Sequence, residues 1–209
     1  MNKQEFMEKF KKQRTFVMIK PDGVQRGLIW VILQHFEKKV LKIVAMKMIR
    51  ATEEQVRSHY PMNDPAWIER LGEKSLSGFA WLDVDPVEFL WTTDKTEIGK
   101  SVAESLVKFM TSGPAVIMII EWIQARDMVR KIVGNTLPNK ADMWTIRADY
   151  SVDTPLIANV EVRSIHNLIH ASETEEEAEN EIALRFGNNT ETHDYIRTDE
   201  KVAYTPDTY

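Results

Sequence analysis

RTFVMIKPDGVQRGLI, residues 14–29, contains the change of pattern from which the fold is predicted. The mostly apolar run from Thr15 to Ile19 is typical of a strand buried on both faces, and the turn residues KPDG at 20–23 end it. Apolar residues then recur every fourth position, which predicts an amphipathic helix with an inward face of Val24, Leu28, Ile32, Phe36 and Val40. A buried strand therefore carries Lys20 to its own end, where a helix follows.

Further strands and helices alternate along the rest of the chain. Residues 42–49, 115–121 and 165–169 have the composition of buried strands. Three helices are predicted: one opened by a capping box at Thr52 to Gln55, one with an inward face of Ala125, Val129 and Ile132, and one opened by a capping box between Ser172 and Glu175. This order predicts an α+β fold of the split βαβ kind, an antiparallel sheet covered by helices.

The length of 209 residues and the absence of a visible repeat predict a single domain spanning residues 1–209. Its core covers about residues 14–60, 111–149 and 165–186. Residues 61–110 are rich in aromatic side chains and are predicted to be an ordered insertion closed by a helix with Val102, Leu106 and Met110. Residues 150–164 form a short insertion with an extra strand or hairpin at 157–162, and the polar extension 187–209 lies on the surface.

Composition excludes several functional classes. The formal net charge of −5 argues against nucleic acid as the main ligand. Residues 1–50 contain 12 basic and 4 acidic residues. This excess could indicate contact with RNA, a membrane or an anionic small molecule, but a solvated helix face with one or two functional lysines is the simpler interpretation. There is no cysteine, no apolar run long enough for a membrane helix and no signal-peptide pattern, so we expect a cytoplasmic protein that does not bind membranes.

The segment NLIHASETEEEAENEIALRF, residues 167–186, holds the strongest candidate for catalysis. His170 follows a buried strand, and Glu181 lies beside the inward face of the next helix. If that helix folds back along the strand, the carboxylate reaches one imidazole nitrogen and leaves the other free as a nucleophile or base. The alternative is a histidine with a purely structural role. His166 and His170 lie about 13 Å apart on a strand, too far for one metal ion.

Phosphate recognition in this chain has to come from side chains, because the glycine-rich phosphate-binding motifs are absent. Lys20 at the end of a buried strand needs an anionic partner or must turn outward. Arg130 and Arg147 lie near loop junctions, where each alone would be a surface ion pair. Together with a histidine nucleophile, these cations form the set that phosphoryl transfer requires.

These segments resemble the nucleoside diphosphate kinase family. The match comprises RTFVMIKPDGVQRGLI, FEKKVLKIVAMKM, SHY, SGPAVIMIIEW through VRKIVGNTLP, TIRADY and NLIHASETEEEAENEIALRF, in the family's order and over about half of the chain. The resemblance implies a ferredoxin-like βαββαβ core. It also implies reversible transfer of the terminal phosphate from ATP or another nucleoside triphosphate to a nucleoside diphosphate through a phosphohistidine.

Site residues follow from the resemblance by position. His170 would be the phosphorylated nucleophile, Glu181 its orienting partner, Ser172 a hydrogen-bond partner of that carboxylate or of the phosphoryl group, and Lys20 the cation on the terminal phosphate. The positions expected to contact the nucleotide are Lys20, Tyr60, Arg130, Thr136, Arg147 and Asn167. No side-chain metal site is implied, since Mg²⁺ arrives on the nucleotide phosphates. A neutral imidazole is required, which predicts loss of rate below its ordinary pKa of about 6.5.

The chain departs from the family pattern at several positions. Ala171 replaces the usual glycine, and residues 137–144 lack the usual Pro-Gly and carry Met143 and Trp144. The insertion leaves Trp67 as a candidate for stacking on the base, with a core position as the alternative. Family members are commonly homo-oligomers, and we expect the same here. Two other functions stay open: a catalytically silent nucleotide-binding or regulatory relative, and a phosphohistidine donor to other proteins.

Overall fold

A computed structural model of the chain describes residues 11–80, 85–161, 163–187 and 191–199. Four strands, β1 (Lys12–Ile19), β2 (Lys42–Ile49), β3 (Ala115–Ile123) and β4 (Ile169–Ala171), form one sheet in the order β2-β3-β1-β4. All neighbouring strands pair antiparallel. This is the predicted α+β fold, and its order is consistent with a ferredoxin-like topology.

Helices cover both faces of this sheet. The described helices are α1 (Pro21–Gln25), α2 (Ile29–Glu37), α3 (Glu53–His59), α4 (Pro65–Ala80), α5 (Val87–Leu90), α6 (Lys95–Thr111), α7 (Ala125–Val133), α8 (Ile146–Tyr150), α9 (Pro155–Val160) and α10 (Glu175–Phe186). A 3₁₀ turn lies at Pro138–Lys140. No helix in the described part of the chain is long and apolar enough to cross a membrane.

The central strands bury side chains on both faces, as the apolar run in β1 predicts. Val17 and Ile19 pack into a core that includes Phe36 of α2. Phe16 and Met18 point the other way and pack into a second core that includes Met110 of α6. Successive strand residues alternate between faces, so Phe16 to Ile19 in the second half of β1 contribute to both cores and must all be apolar.

The helix predicted from residue 24 is divided in the structure. Gly27 has a φ of +69° and separates α1 from α2, while Val40 lies beyond the end of α2 with a φ of +66°. Ile32 and Phe36 occupy the buried face as expected. The four-residue spacing of apolar side chains thus spans two helices and a turn.

Residues 61–110 contain α4, α5 and most of α6, with a small core of Phe79, Leu90 and Ile98. The end of α6 extends this unit under the sheet, where Met110 is buried as predicted. Trp81, one of the aromatic residues in this segment, lies outside the described residues.

Two predictions in the second half of the chain are wrong. Residues 155–160 form helix α9, capped by Thr154, instead of a strand or hairpin, and Val162 lies outside the described residues. The last strand begins at Ile169 and not at residue 165, because Leu168 has a left-handed φ of +69° that interrupts extended structure. His170 therefore lies within β4, paired with Met18.

The described part of the extension, residues 191–199, lies against β2 and the end of α2. The backbone N–H of His193 donates to the carbonyl of Val44 at 2.9 Å, and Arg197 donates to the carbonyl of Glu37 at 3.2 Å. Lys42 pairs with Asp194. This segment covers the first half of the β2 edge, and the rest of the extension lies outside the described residues.

Candidate active site

The imidazole of His170 is held by a carboxylate. Its Nε2 lies 2.7 Å from Oε1 of Glu181, which α10 brings back across the sheet as predicted. An ionised carboxylate can only accept hydrogen bonds, so Nε2 carries the ring proton and Nδ1 keeps a free lone pair. The side chain of His170 is 17% exposed and that of Glu181 is 6% exposed. The ring is thus reachable while its partner is buried.

Glu181 is fixed from two further directions. Ser172 donates its hydroxyl to Oε2 at 2.6 Å, and Nε2 of His59 lies 3.2 Å from Oε1. The hydroxyl also lies 3.3 Å from the carbonyl of Phe16. These contacts leave the carboxylate little freedom to rotate, which in turn fixes the plane of the His170 ring.

Ser172 does not open the following helix, contrary to the predicted capping box with Glu175. The N-cap of α10 is Thr174, whose side chain accepts from the backbone N–H of Glu177 at 3.1 Å. Ser172 is instead fully buried and bonds Glu181. The hydroxyl that resembled a cap is part of the histidine site.

Lys20 lies at the end of β1 and is 7% exposed. Its Nζ donates to Oδ1 of Asn167 at 2.7 Å, and the amide nitrogen of Asn167 donates to the carbonyl of Thr136 at 2.8 Å. Burial, with help from the nearby positive charge of Arg147, lowers the pKa of Lys20 to about 8. The amine therefore stays charged at neutral pH without a carboxylate bonded to it, which suits an incoming phosphate.

Arg147 acts in this structure mainly on the backbone. Its guanidinium donates to the carbonyls of Gly134 at 2.8 Å, Ile169 at 2.6 Å and Asn167 at 3.3 Å. Burial lowers its pKa to about 10, so it remains charged at physiological pH. It holds the segment before His170 and adds positive charge there. Arg130 is half exposed and lies 3.2 Å from Glu173, an exposed pairing that a ligand can displace.

Tyr60 and Trp67 stack on one another. Their ring centroids are 6.2 Å apart with 25° between the planes. Burial raises the pKa of Tyr60, so its hydroxyl keeps its proton and can donate a hydrogen bond. Trp67 is partly buried in the first turn of α4. The structure thus gives Trp67 a protein partner.

Three residues that the sequence did not single out belong to this neighbourhood. His59 contacts Glu181, and its ring centroid lies 5.0 Å from that of His170. Asp22 accepts from the backbone N–H of Leu168 at 3.0 Å and so supports the turn before β4. Arg185 lies one helical turn beyond Glu181 and is buried. The SHY and KPDGV segments contained the first two, but only tertiary packing reveals their contacts.

Burial sets the protonation of the histidine cluster. It is the main cause that lowers the pKa of His170, with Lys20 contributing next, and it lowers the pKa of His59 to about 3. Burial raises the pKa of Glu181, against the effect of His59 and Ser172. The loss of rate in acid that the sequence analysis predicted for a His170 nucleophile is therefore expected below the ordinary imidazole pKa of about 6.5, on which that prediction rested.

Donor atoms of His59, His170 and Glu181 lie within 4.8 Å of one another, the one such group among the described residues. The sequence did not predict this set. His166, the histidine that the sequence analysis considered together with His170, is not part of this set. Its ring stacks on Phe109, with 4.2 Å between the ring centroids. Lys20, Arg147 and Arg185 add positive charge around His170 and oppose a bound cation.

The sequence profile described as nucleoside diphosphate kinase matches residues 13–78 and 89–190. The chain belongs to the nucleoside diphosphate kinase family. Membership makes it a phosphotransferase, as the sequence resemblance implied. Residues 79–88 are the one stretch between the two matched ranges, so most of residues 61–110 lies within the family match.

Individual members of the nucleoside diphosphate kinase family match most of the chain. A nucleoside diphosphate kinase of Pyrobaculum aerophilum is 44% identical over 174 residues, covering 83% of this chain and 94% of the relative. The crystal structure of an NDP kinase from that organism has a TM-score of 0.81 at 41% identity, over 88% of this chain and 100% of that one.

Two further solved structures of family members contain ligands. The nucleoside-diphosphate kinase from Borrelia burgdorferi with bound vanadate and ADP, a transition state mimic, has a TM-score of 0.71 at 32% identity, covering 91% of this chain and 96% of that chain. The enzyme from Halobacterium salinarum in complex with CDP has a TM-score of 0.64 at 34% identity, over 93% of this chain and 100% of that chain.

Proposed function

We propose that this protein transfers the terminal phosphate of a nucleoside triphosphate to a nucleoside diphosphate, with Nδ1 of His170 as the nucleophile. The observation that carries the proposal is the 2.7 Å contact between Nε2 of His170 and Glu181, which leaves Nδ1 as the free nitrogen of a ring that is still 17% exposed. The ligands of the related structures, vanadate with ADP and CDP, support a nucleotide substrate.

Transfer takes place in two half-reactions. The Nδ1 lone pair attacks the terminal phosphorus, the N–P bond forms, and the P–O bond to the nucleoside diphosphate breaks with its electron pair going to the leaving oxygen. Nε2 keeps its proton and its hydrogen bond to Glu181 while the ring gains positive charge. A terminal oxygen of a second nucleoside diphosphate then attacks the phosphorus, the new P–O bond forms, and the N–P bond breaks with its electron pair returning to Nδ1. Each half-reaction is close to balanced because the N–P and P–O bonds are similar in energy.

Cations around the nucleophile suit the charge that spreads over the phosphoryl oxygens. We assign the terminal phosphate to Lys20, with Asn167 placing the amine, and further phosphate contacts to Arg130 and Arg147. Tyr60 packs edge-on against His59, and the carbonyl of Thr136 accepts from Asn167; we assign both residues to phosphate or sugar. We also assign base stacking to Trp67, which requires that a nucleotide base replace the Tyr60 ring as the stacking partner of Trp67.

Mg²⁺ is expected to bind to the phosphate oxygens and not to a cage of side chains. Both oxygens of Glu181 already have polar partners, so the buried carboxylate is not a free oxygen ligand. Mg²⁺ favours phosphate and water oxygens, and when bound it neutralises phosphate charge.

We also place the protein in the cytoplasm and propose that it assembles as a homo-oligomer. Exposed apolar side chains on β2 and residues 143–144 support assembly.

Labelling with γ-³²P ATP tests the proposal. We expect an acid-labile, base-stable label on the wild-type protein, release of that label as GTP when GDP is added, and no label on His170→Ala. His193→Ala is the matched control, because this histidine is exposed in the extension. A wild-type protein that takes up no label would favour the silent nucleotide-binding relative, and equal label on His170→Ala would exclude this nucleophile. Label that passes to proteins would support the donor function.

A further inference from the structure

Arg185 is a buried cation with no hydrogen-bond partner in the described part of the structure. It is 6% exposed, and Nε and both terminal nitrogens of its guanidinium are buried and unpaired. Removing a charged group from water without hydrogen bonds is strongly unfavourable, and guanidinium groups are seldom buried unpaired. Such an arrangement calls for a compensating electrostatic or functional role.

The compensating charge lies on the same helix. Arg185 follows Glu181 by four positions in α10, a spacing that places the two side chains on one face and in the favourable order of acid before base. Burial lowers the pKa of Arg185, and the nearby Tyr60 and Glu181 oppose this shift. Burial raises the pKa of Glu181, and Arg185 in return opposes this shift together with His59 and Ser172. The guanidinium therefore acts on the carboxylate through space, while the hydrogen bonds of that carboxylate go to other groups.

The same charge also reaches the nucleophile. His170 faces charged or titratable groups from each element around it, namely Lys20 after β1, His59 at the end of α3, Arg147 in α8, and Glu177, Glu181 and Arg185 in α10. Lys20 and Arg147 lie on the side where we place the phosphate. Arg185 adds positive charge from α10, the helix that supplies the orienting carboxylate.

We propose that Arg185 is a positioning residue for phosphoryl transfer, whose buried charge balances Glu181 so that the carboxylate stays ionised while His170 stays neutral. The inference rests on the proposed function. A buried Glu181 without this balance has two ways to lose its excess charge. It takes up a proton and no longer accepts from Nε2, or it draws a proton onto Nδ1 of His170 and removes the attacking lone pair. Arg185 opposes both.

Neutral and charged replacements separate this role from a structural one. Arg185→Met and Arg185→Gln remove the charge, Arg185→Lys keeps it, and Arg70→Met removes an exposed guanidinium from the insertion as a matched control. Circular dichroism checks that each variant is folded. The chain has only five histidines, so ¹³C,¹⁵N-histidine NMR can follow the protonation of His170 directly. Rapid-quench phosphorylation from pH 3 to 9 follows its reactivity.

In the two neutral variants we expect the protonation midpoint of His170 and the acid limb of phosphorylation to move upward by about one pH unit or more. This corresponds to roughly a tenfold loss of rate on the acid limb and to the wild-type rate above pH 8, where His170 is neutral in every variant. Arg185→Lys and Arg70→Met should retain the wild-type profile.

Two results would overturn the role of Arg185: neutral variants with the wild-type midpoint, or a lysine variant that shifts as far as they do. Failure of the wild-type protein to become phosphorylated is a different outcome, and it would refute the proposed function. The NMR titration does not require turnover, so in that case it still decides whether Arg185 controls the protonation of His170.

Discussion

At the scale of single residues, the site keeps a positive charge and a neutral base close together inside the protein. Lys20 and His170 both have pKa values lowered by burial, yet the consequences differ. The amine starts from about 10.4 and remains charged at pH 7, whereas the imidazole starts from about 6.5 and becomes more fully neutral. One physical effect therefore gives a charged amine and a neutral imidazole in the same pH range, as the proposed roles of Lys20 and His170 require.

This difference predicts a basic limb in the pH profile. Lys20 loses its charge as the pH rises through about 8, so kcat/KM of the free enzyme should fall above that value. Lys20→Met should lower kcat/KM by about 100-fold or more at pH 7, because a fixed cation on the phosphate is lost, and the basic limb should disappear.

Steady-state kinetics from pH 6 to 10 measure both effects, with Lys74→Met, which alters an exposed lysine of α4, as the control. A wild-type profile that stays level to pH 10 would exclude this role for Lys20.

Sequence could predict the meeting of His170 and Glu181, because the strand, the helix and the spacing between them are local features. It could not predict the burial of Arg185. A glutamate followed four positions later by an arginine is the ordinary pattern of a solvated helix pair. Only the packing of α10 against β1 and α3, which depends on contacts distant in sequence, removes that guanidinium from water.

At the scale of elements, the predictions were right where one periodic pattern filled an element and wrong where local chemistry had two solutions. The predicted bounds of β2 match the structure, and the Thr52 capping box opens α3. Ser172 and Thr174 could both cap the helix, however. Thr174 is the N-cap in the structure, because the hydroxyl of Ser172 donates a hydrogen bond to Glu181 instead. Gly27 likewise divides a helix whose apolar spacing continues across the break.

The close approach of α4 and α6 predicts how a substitution at a glycine between them affects stability. A Cβ added to Gly72 would lie 1.9 Å from the carbonyl oxygen of Lys95, and one added to Gly99 would lie 2.0 Å from that of Ile68. Both contacts are with backbone, so a helix has to move. We expect Gly72→Ala to lower the free energy of unfolding by about 1–3 kcal/mol, although alanine favours the helix itself by about 1 kcal/mol.

Urea unfolding measures the change, and Ser77→Ala, which truncates an exposed side chain on the same helix, is the control. A Gly72→Ala protein as stable as the wild type would mean that the two helices are not packed this closely.

At the scale of the whole molecule, both central strands are covered, while the described residues cover the β2 edge only in part. Among them, the segment 191–199 reaches Val44 and leaves the later part of the strand open. There Met46 and Met48 are more than half exposed, and Met143 and Trp144 are exposed by about four fifths. Groups of exposed large apolar side chains at a strand edge and a loop indicate surfaces that become buried on association.

This surface predicts an assembly larger than the 24.3 kDa chain. Sedimentation equilibrium should give a mass that is a multiple of the chain mass. The double substitution Met46→Lys and Met48→Lys should lower that mass at micromolar concentration, because charged side chains on an edge strand oppose edge pairing and burial. Asn139→Lys adds a lysine at another exposed position and should leave the mass unchanged. A wild-type protein that sediments as a monomer would contradict the prediction of assembly. An oligomer that survives the double substitution intact would instead place the contact elsewhere, with Trp144→Lys as the next variant to test.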